Sequence, residues 1–131
     1  MQHQYFNAKV YDKNDIEYQY YWLHLSEPSL TKQLDYQRTK FYTAKWGFER
    51  EGEILLKNYE EYEYLKSLDK EASFSVKIDK IALSDKFDNT LDMFTFLPFE
   101  INIYISERLK NAIEEAGITG FEIKETDRFD V

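Results

Sequence analysis

The C-terminal third places the strongest constraint on the fold, because two apolar, β-prone runs lead directly into a helix signature. The runs cover residues 93–99 and 101–105. Ser106 is a good N-cap residue, and Glu107 places a carboxylate in the first turn, where it complements the helix dipole. Gly117 can adopt the left-handed conformation that often ends a helix. The segment therefore predicts two strands followed by a helix over about residues 106–116.

The chain after this helix predicts a turn and a short returning strand. Gly120 permits a tight turn into residues 121–123, which alternate between apolar and polar. Residues 126–131 are then left as a short terminal tail that is able to fray. Four residues are predicted to form the buried stripe of the preceding helix: Leu109, Ala112, Ile113 and Ala116.

Periodicity predicts further strands and one more helix upstream. A helix over about residues 59–70 begins after Asn58, a good N-cap residue, and its inward stripe is Tyr59, Tyr62, Leu65 and Leu68. A polar turn at residues 49–52 is predicted to join two strands of a hairpin. The predicted strands cover residues 5–11, 16–25, 40–48, 52–57 and 74–83. Together these elements predict a single α+β domain over residues 1–131, with a mainly antiparallel sheet and two principal helices packed on it.

Composition and charge narrow the classes of partner. The chain is 43% hydrophobic and 18% aromatic, with 11 tyrosines, which suits half-buried strands and protein-binding surfaces alike. Its net charge is −8, and the excess acidity lies after residue 48, since residues 1–48 have a net charge of +1 and residues 49–131 one of −9. A negative surface repels phosphate backbones and anionic lipid, whereas it attracts a basic protein. We therefore expect no nucleic-acid or membrane partner, although solubility alone also accounts for the charge.

The absence of cysteine fits a reducing compartment. The N-terminus lacks the basic segment and the apolar stretch of a signal peptide, and no apolar run approaches the ~18 residues that span a membrane. The expected location is therefore the cytoplasm.

The sequence contains few of the residues and motifs from which enzymes build catalytic sites. Its two histidines, His3 and His24, are far apart along the chain, and no nucleophile-elbow, phosphate-loop or dinucleotide-binding motif occurs. The expectation is that the chain is not an enzyme and carries no cofactor. One open alternative is a hard cation held by Asp85, Asp88 and Asp92, or by Glu49, Glu51 and Glu53, although the loop lacks the calcium-binding pattern of an EF-hand.

Four segments resemble a family of bacterial polymorphic-toxin immunity proteins. They are residues 20–25 (YYWLHL), 94–98 (FTFLP), 104–110 (YISERLK) and 114–123 (EEAGITGFEI). The resemblance covers about residues 18–123 and is closest over residues 92–123, where a strand runs into a helix start and then a glycine-containing exit. The resemblance implies a protein that binds a secreted toxin and neutralises it in the producing cell, and it implies no catalytic residue.

The resulting hypothesis is an immunity protein that blocks the active site or a docking surface of a cognate toxin domain that is basic. Two alternatives remain, a metal-dependent hydrolase with an acidic site and a protein-interaction domain of unrelated role. The oligomeric state stays open. Nine exposed acidic residues are the predicted candidates for contact with the partner: Glu49, Glu51, Glu53, Glu60, Glu61, Glu63, Asp85, Asp88 and Asp92.

Overall fold

The computed structural model describes the backbone of residues 3–25 and 29–130, and the side chains of residues 6–21 and 29–130. The described chain is α+β, as predicted, with antiparallel strand pairing between its named strands. The strands are β1 (His3–Tyr11), β2 (Glu17–Leu25), β3 (Lys40–Lys45), β4 (Glu49–Ile54), β5 (Phe74–Lys80), β6 (Met93–Thr95) and β7 (Ile103–Ile105). The helices are α1 (Tyr59–Ser67), α2 (Glu107–Glu115) and a short 3-10 helix at Leu30–Gln33. No helix among these residues is long and apolar enough to cross a membrane.

The strands form three separate sheets. β1 pairs only with β2, β3 lies between β4 and β5, and β6 pairs with β7. The core lies against the three-stranded sheet, because Phe41 on β3 and Val76 and Ile78 on β5 turn their side chains inward. The other members of the core cluster are Leu30, Leu34, Leu56, Tyr62, Ile81, Phe94, Phe96 and Phe99. Described core residues therefore begin at position 30, after the β1–β2 hairpin.

Phe99 is the aromatic centre of this core. Its ring is completely buried. The ring centroid lies 4.9 Å from that of Tyr62, 5.2 Å from Phe41, 6.1 Å from Tyr59 and 6.5 Å from Tyr36, and every contact is edge-to-face. Edge-to-face packing places the positive ring edge on a negative ring face, so each contact adds to the benefit of burial. Phe99 thereby joins the sheet to α1.

The turn between β3 and β4 lies earlier than predicted. It uses Trp46 and Gly47, which both have positive φ (57° and 81°), whereas residues 49–52 belong to β4. The prediction of a turn at residues 49–52 is therefore wrong. Its polar sequence is stabilised as a strand because the Arg50 guanidinium donates two hydrogen bonds to Asp79 on β5, at 3.0 and 2.6 Å.

Helix α1 confirms its predicted start. The Asn58 side chain accepts from the backbone N–H of Glu61, and the Glu61 carboxylate accepts from the backbone N–H of Lys57. These two bonds satisfy donors that a helix start leaves free. The helix ends at Ser67, three residues before the predicted end, and Leu68 is exposed rather than buried.

Helix α2 also confirms its cap, since Ser106 Oγ accepts from the backbone N–H of Leu109 at 3.0 Å. The predicted buried stripe is wrong in part: Leu109 and Ile113 are partly buried, whereas Ala112 and Ala116 are exposed. Gly117 and Gly120 have positive φ (65° and 100°), as their predicted roles require. The predicted strand at residues 121–123 is wrong, since these residues adopt no strand pairing.

The end of the chain is docked, so the prediction of a frayed tail is wrong for the described residues up to 130. The N–H of Ile81 donates to the carbonyl of Arg128 at 2.8 Å, and the N–H of Asp130 donates to the carbonyl of Ile81 at 2.7 Å. Phe129 packs edge-to-face on Tyr104, with 5.1 Å between ring centroids. The tail segment therefore closes the core; Val131 lies outside the described residues.

Candidate functional site

The β1–β2 hairpin presents an apolar face made by alternation. Its register pairs Ala8 with Tyr20 and Val10 with Tyr18. Because side chains alternate across a strand, these four residues and Phe6 share one face, which we call the first face. In a hairpin that belongs to a larger sheet, such a face covers the core.

Here the large side chains of the first face are about half exposed. Phe6, Val10, Tyr18 and Tyr20 each expose 46–56% of their surface. None of the hairpin's described side chains belongs to the buried core cluster. In the described part of the chain, β1 and β2 pack extensively only on each other. The sequence pattern predicts the strands and their alternation, but it gives no sign that the described side chains of the apolar face stay about half exposed.

The opposite face, which we call the second face, is mixed. Tyr11 and Tyr21 expose 57% and 69% of their surface. Lys9 and Glu17 form an ion pair across the strands at 2.9 Å, and the Tyr11 hydroxyl donates to Glu17 at 3.3 Å. Tyrosines are thus exposed on both faces.

Local hydrogen bonds hold the tip of the hairpin. The Asp12 carboxylate accepts from the backbone N–H groups of Asn14 at 2.8 Å and Ile16 at 3.1 Å. These bonds, that to Ile16 first, lower the pKa of Asp12. Asp15 adopts a left-handed conformation, with φ of 58°, which Asp tolerates better than most residues. The hairpin is therefore a defined structure and its tip is ordered by its own side chains.

The predicted acidic residues lie on three separate elements. Glu49, Glu51 and Glu53 are exposed on β4 and make no hydrogen bond or ion pair with any described residue. The register between β3 and β4 shifts at this point, so Glu51 has no partner opposite it. Such a bulge interrupts strict alternation. These three carboxylates are available to a partner.

On α1 the three glutamates differ in role. Glu61 is part of the helix cap, and Glu60 lies 3.8 Å from the ammonium of Lys32. Glu63 is exposed and makes no hydrogen bond or ion pair within the described chain. Glu63 is therefore the α1 carboxylate that is free for a partner, and Glu61 serves the fold.

Two of the three loop aspartates also serve the fold. Asp92 accepts from Ser106 Oγ at 2.6 Å and from Arg108 Nε at 2.9 Å, and these bonds, that to Ser106 first, lower its pKa. Asp88 accepts from the hydroxyl and backbone N–H of Thr90, which likewise lowers its pKa. Asp85 is exposed, with no such bond to a described residue. Asp92 thus anchors the start of α2 to the loop.

The described residues bring no three His, Asp or Glu side chains together in a geometry that could hold a metal ion. The side chains of His3 and His24 lie outside the described set. The two cation sites considered from the sequence, at Asp85, Asp88 and Asp92 and at Glu49, Glu51 and Glu53, therefore receive no support from the described geometry.

Sequence reasoning missed a buried polar network beside an open cleft. Glu100 is 7% exposed and accepts from the Tyr104 hydroxyl, the Asn102 amide and Arg128 Nη1. Burial, together with the hydrogen bond to Glu100, raises the pKa of Tyr104 to about 12. Each of these polar groups has a hydrogen-bond partner within the network, so the network stabilises the tail. The cleft itself is lined by Tyr42, Lys77, Asp79 and Ile101, together with Glu100, Asn102 and Arg128 of the network.

No protein-family model, no curated protein and no solved structure matches this chain.

Proposed function

We propose that this chain is an immunity protein that neutralises a secreted bacterial toxin by binding it in the cytoplasm. The proposal joins the resemblance of residues 92–123 to that family with one structural observation, the exposed aromatic face of the β1–β2 hairpin. Tyrosine-rich, uncovered apolar surface is what protein interfaces use for their central contacts. The hairpin, rather than the acidic residues, supplies that surface.

The acidic residues support a separate part of the proposal, the basic character of the toxin. Five of the nine candidate carboxylates are exposed and make no hydrogen bond or ion pair with a described residue: Glu49, Glu51, Glu53, Glu63 and Asp85. Charges at the rim of an interface raise association rates more than they raise affinity. We therefore assign these residues to steering and the hairpin tyrosines to anchoring.

Co-expression tests the function directly. Cells that express the toxin domain encoded beside this chain should stop growing, and co-expression of this chain should restore growth. A tagged form of the chain should also co-purify with that toxin domain. The control is the toxin domain of an unrelated system, against which the chain should give no protection. Failure to restore growth, together with failure to co-purify, would overturn the proposal.

Variants with fewer carboxylates, measured at low and high salt, test the electrostatic steering. Replacing Glu49, Glu51 and Glu53 with glutamine should lower the association rate constant by about tenfold at low ionic strength. The dissociation rate constant should change by less than about twofold, because exposed rim charges are screened once the complex forms. Surface plasmon resonance at about 50 and about 500 mM NaCl measures both constants, and the difference between variant and wild type should shrink at high salt.

The matched control replaces three carboxylates outside the candidate set with glutamine, at Glu71, Glu115 and Glu125, which are all exposed. This variant has the same net charge as the first. If both variants slow association equally, net charge alone is responsible. If the association rate constant of the wild-type chain is the same at both salt concentrations, electrostatic steering is rejected.

A further inference from the structure

The area of the hairpin's first face limits what can cover it. Its four large side chains within residues 6–21, Phe6, Val10, Tyr18 and Tyr20, expose about half of their surface each. At ~150–250 Å² for an aromatic side chain, together they leave on the order of 400 Å² of apolar surface in water. That area is large enough to mark an interaction site.

A second copy of this chain stacked on the described side chains of the first face would bury too little surface. The described parts of two such faces together supply about 800 Å², whereas specific, stable interfaces bury about 1,200–2,000 Å² in total. A contact of about 800 Å² lies in the range of crystal packing. Within the described residues, face-to-face pairing of two hairpins therefore does not account for the exposed surface.

A partner that contacts both faces reaches the required area. Tyr11 and Tyr21 on the second face expose more than half of their surface, which adds about 250 Å². With the polar neighbours on that face and the tip, the hairpin approaches the ~800 Å² per partner of a standard interface. Only a groove with two walls can use both faces at once.

The chemistry of the hairpin indicates what those walls carry. The hydroxyls of Tyr20 and Tyr21 lie on opposite faces and donate no hydrogen bond to any described residue. Residues 6–21 carry two basic and three acidic groups, so the hairpin is nearly neutral. A complementary groove therefore has apolar walls with a hydrogen-bonding group on each, and little charge.

From these observations we infer that the β1–β2 hairpin inserts into a cleft of the toxin domain, whose two walls contact Tyr20 and Tyr21 on opposite faces. The inference rests on the proposed function, because it names the surface and the mode by which the toxin is bound. A wedge of this kind blocks a cleft by filling it, so it accounts for inhibition without any chemistry by this chain.

Two single variants test this two-sided contact between the hairpin and the cleft walls, which we call the clamp. Tyr20→Ala removes an anchor from the first face and Tyr21→Ala removes one from the second. Each should raise the Kd for the purified, adjacently encoded toxin domain by about 30-fold, the effect of a central interface residue. Tyr64→Ala is the matched control, because Tyr64 is a similarly exposed tyrosine (62%) on α1, and its Kd should stay within about twofold of wild type.

The outcomes separate this inference from the proposed function. Loss of affinity in only one hairpin variant overturns the clamp in favour of a one-sided contact. Unchanged affinity in both variants overturns the role of the hairpin while leaving toxin binding intact. No binding by the wild-type chain overturns the proposed function and this inference with it. A wild-type dimer in sedimentation equilibrium that Tyr20→Ala dissociates assigns the face to a second copy and overturns the clamp.

Hydrogen–deuterium exchange on the unmodified chain tests the same point without any substitution. In the complex, peptides within residues 6–21 should exchange at least about tenfold more slowly than in the free chain, because both strands are enclosed. The exchange rate of α1 peptides that contain Tyr64 should be the same in the complex and in the free chain. Protection confined to other segments, with exchange in residues 6–21 unaltered, would contradict the insertion.

Discussion

Replacing Arg128 with alanine is expected to lower the free energy of unfolding by about 3–5 kcal/mol, because it leaves a buried carboxylate without its cation. Glu100 is only 7% exposed. Arg128 donates to Glu100, to the Tyr104 hydroxyl and to the carbonyl of Ile78, and all three bonds are lost in the variant. Chemical denaturation followed by circular dichroism measures the change.

Arg38→Ala is the matched control for Arg128→Ala. Arg38 pairs with Asp130 at 3.3 Å, but both side chains are 51% exposed. Exposed ion pairs contribute about 0–1 kcal/mol, because water and salt screen them. Equal losses in the two arginine variants would contradict the assignment of the Glu100 pair as buried and structural.

A double variant separates the ion pair from simple packing. Glu100→Leu combined with Arg128→Met removes both charges and keeps apolar volume at both positions. Replacing a buried pair by apolar residues is often close to neutral, so the double variant should be more stable than Arg128→Ala. A double variant that loses at least as much stability as Arg128→Ala would show that the charges themselves are not the cause of the destabilisation.

Local signals account for what the sequence predicts well. Asn58 and Ser106 begin the two α-helices, and Gly117 ends the second, because a cap depends on bonds within a few residues. Strand periodicity likewise places β1 and β2, since alternation is a property of the segment itself. The α+β class follows from these local elements.

Long-range contacts account for what the sequence does not predict. Residues 49–52 are polar and resemble a turn, but Arg50 is held by Asp79, 29 residues away. The sequence of the tail is also polar, but Arg128 forms an ion pair with Glu100, which lies 28 residues earlier. Neither partner is visible in a window of ten residues, so propensity alone gives the wrong state at both places.

The candidate site shows the same division. Charge is a property of the sequence, so Glu49 and Glu63 are identified as exposed candidates from composition and position. Whether an apolar strand face is covered is a property of the whole fold. The exposure of Tyr20 and Tyr21 therefore could be identified only from the structure. The one sequence feature that pointed to it was the high tyrosine content of the chain.

Phe99→Ala is expected to cost about 3–5 kcal/mol of unfolding free energy, the range for truncating a buried phenylalanine. The ring is completely buried. It contacts the rings of Tyr62, Phe41, Tyr59 and Tyr36, so its removal leaves a cavity lined by four aromatic side chains from different parts of the chain. Rigid rings collapse poorly into such a space, which places the expected loss in the upper half of that range.

Phe48→Ala makes the same chemical change at a position where the ring is 82% exposed, in the turn before β4. Its cost should lie within about 0.5 kcal/mol, as for surface substitutions in general. Thermal and chemical unfolding of both variants measure the two losses. If the β1–β2 hairpin binds a toxin as proposed, that binding should persist in folded Phe99→Ala, because the hairpin packs chiefly on itself. A Phe99→Ala loss below about 1 kcal/mol would contradict the central place of this ring, since a buried hub cannot be removed at the cost of a surface side chain.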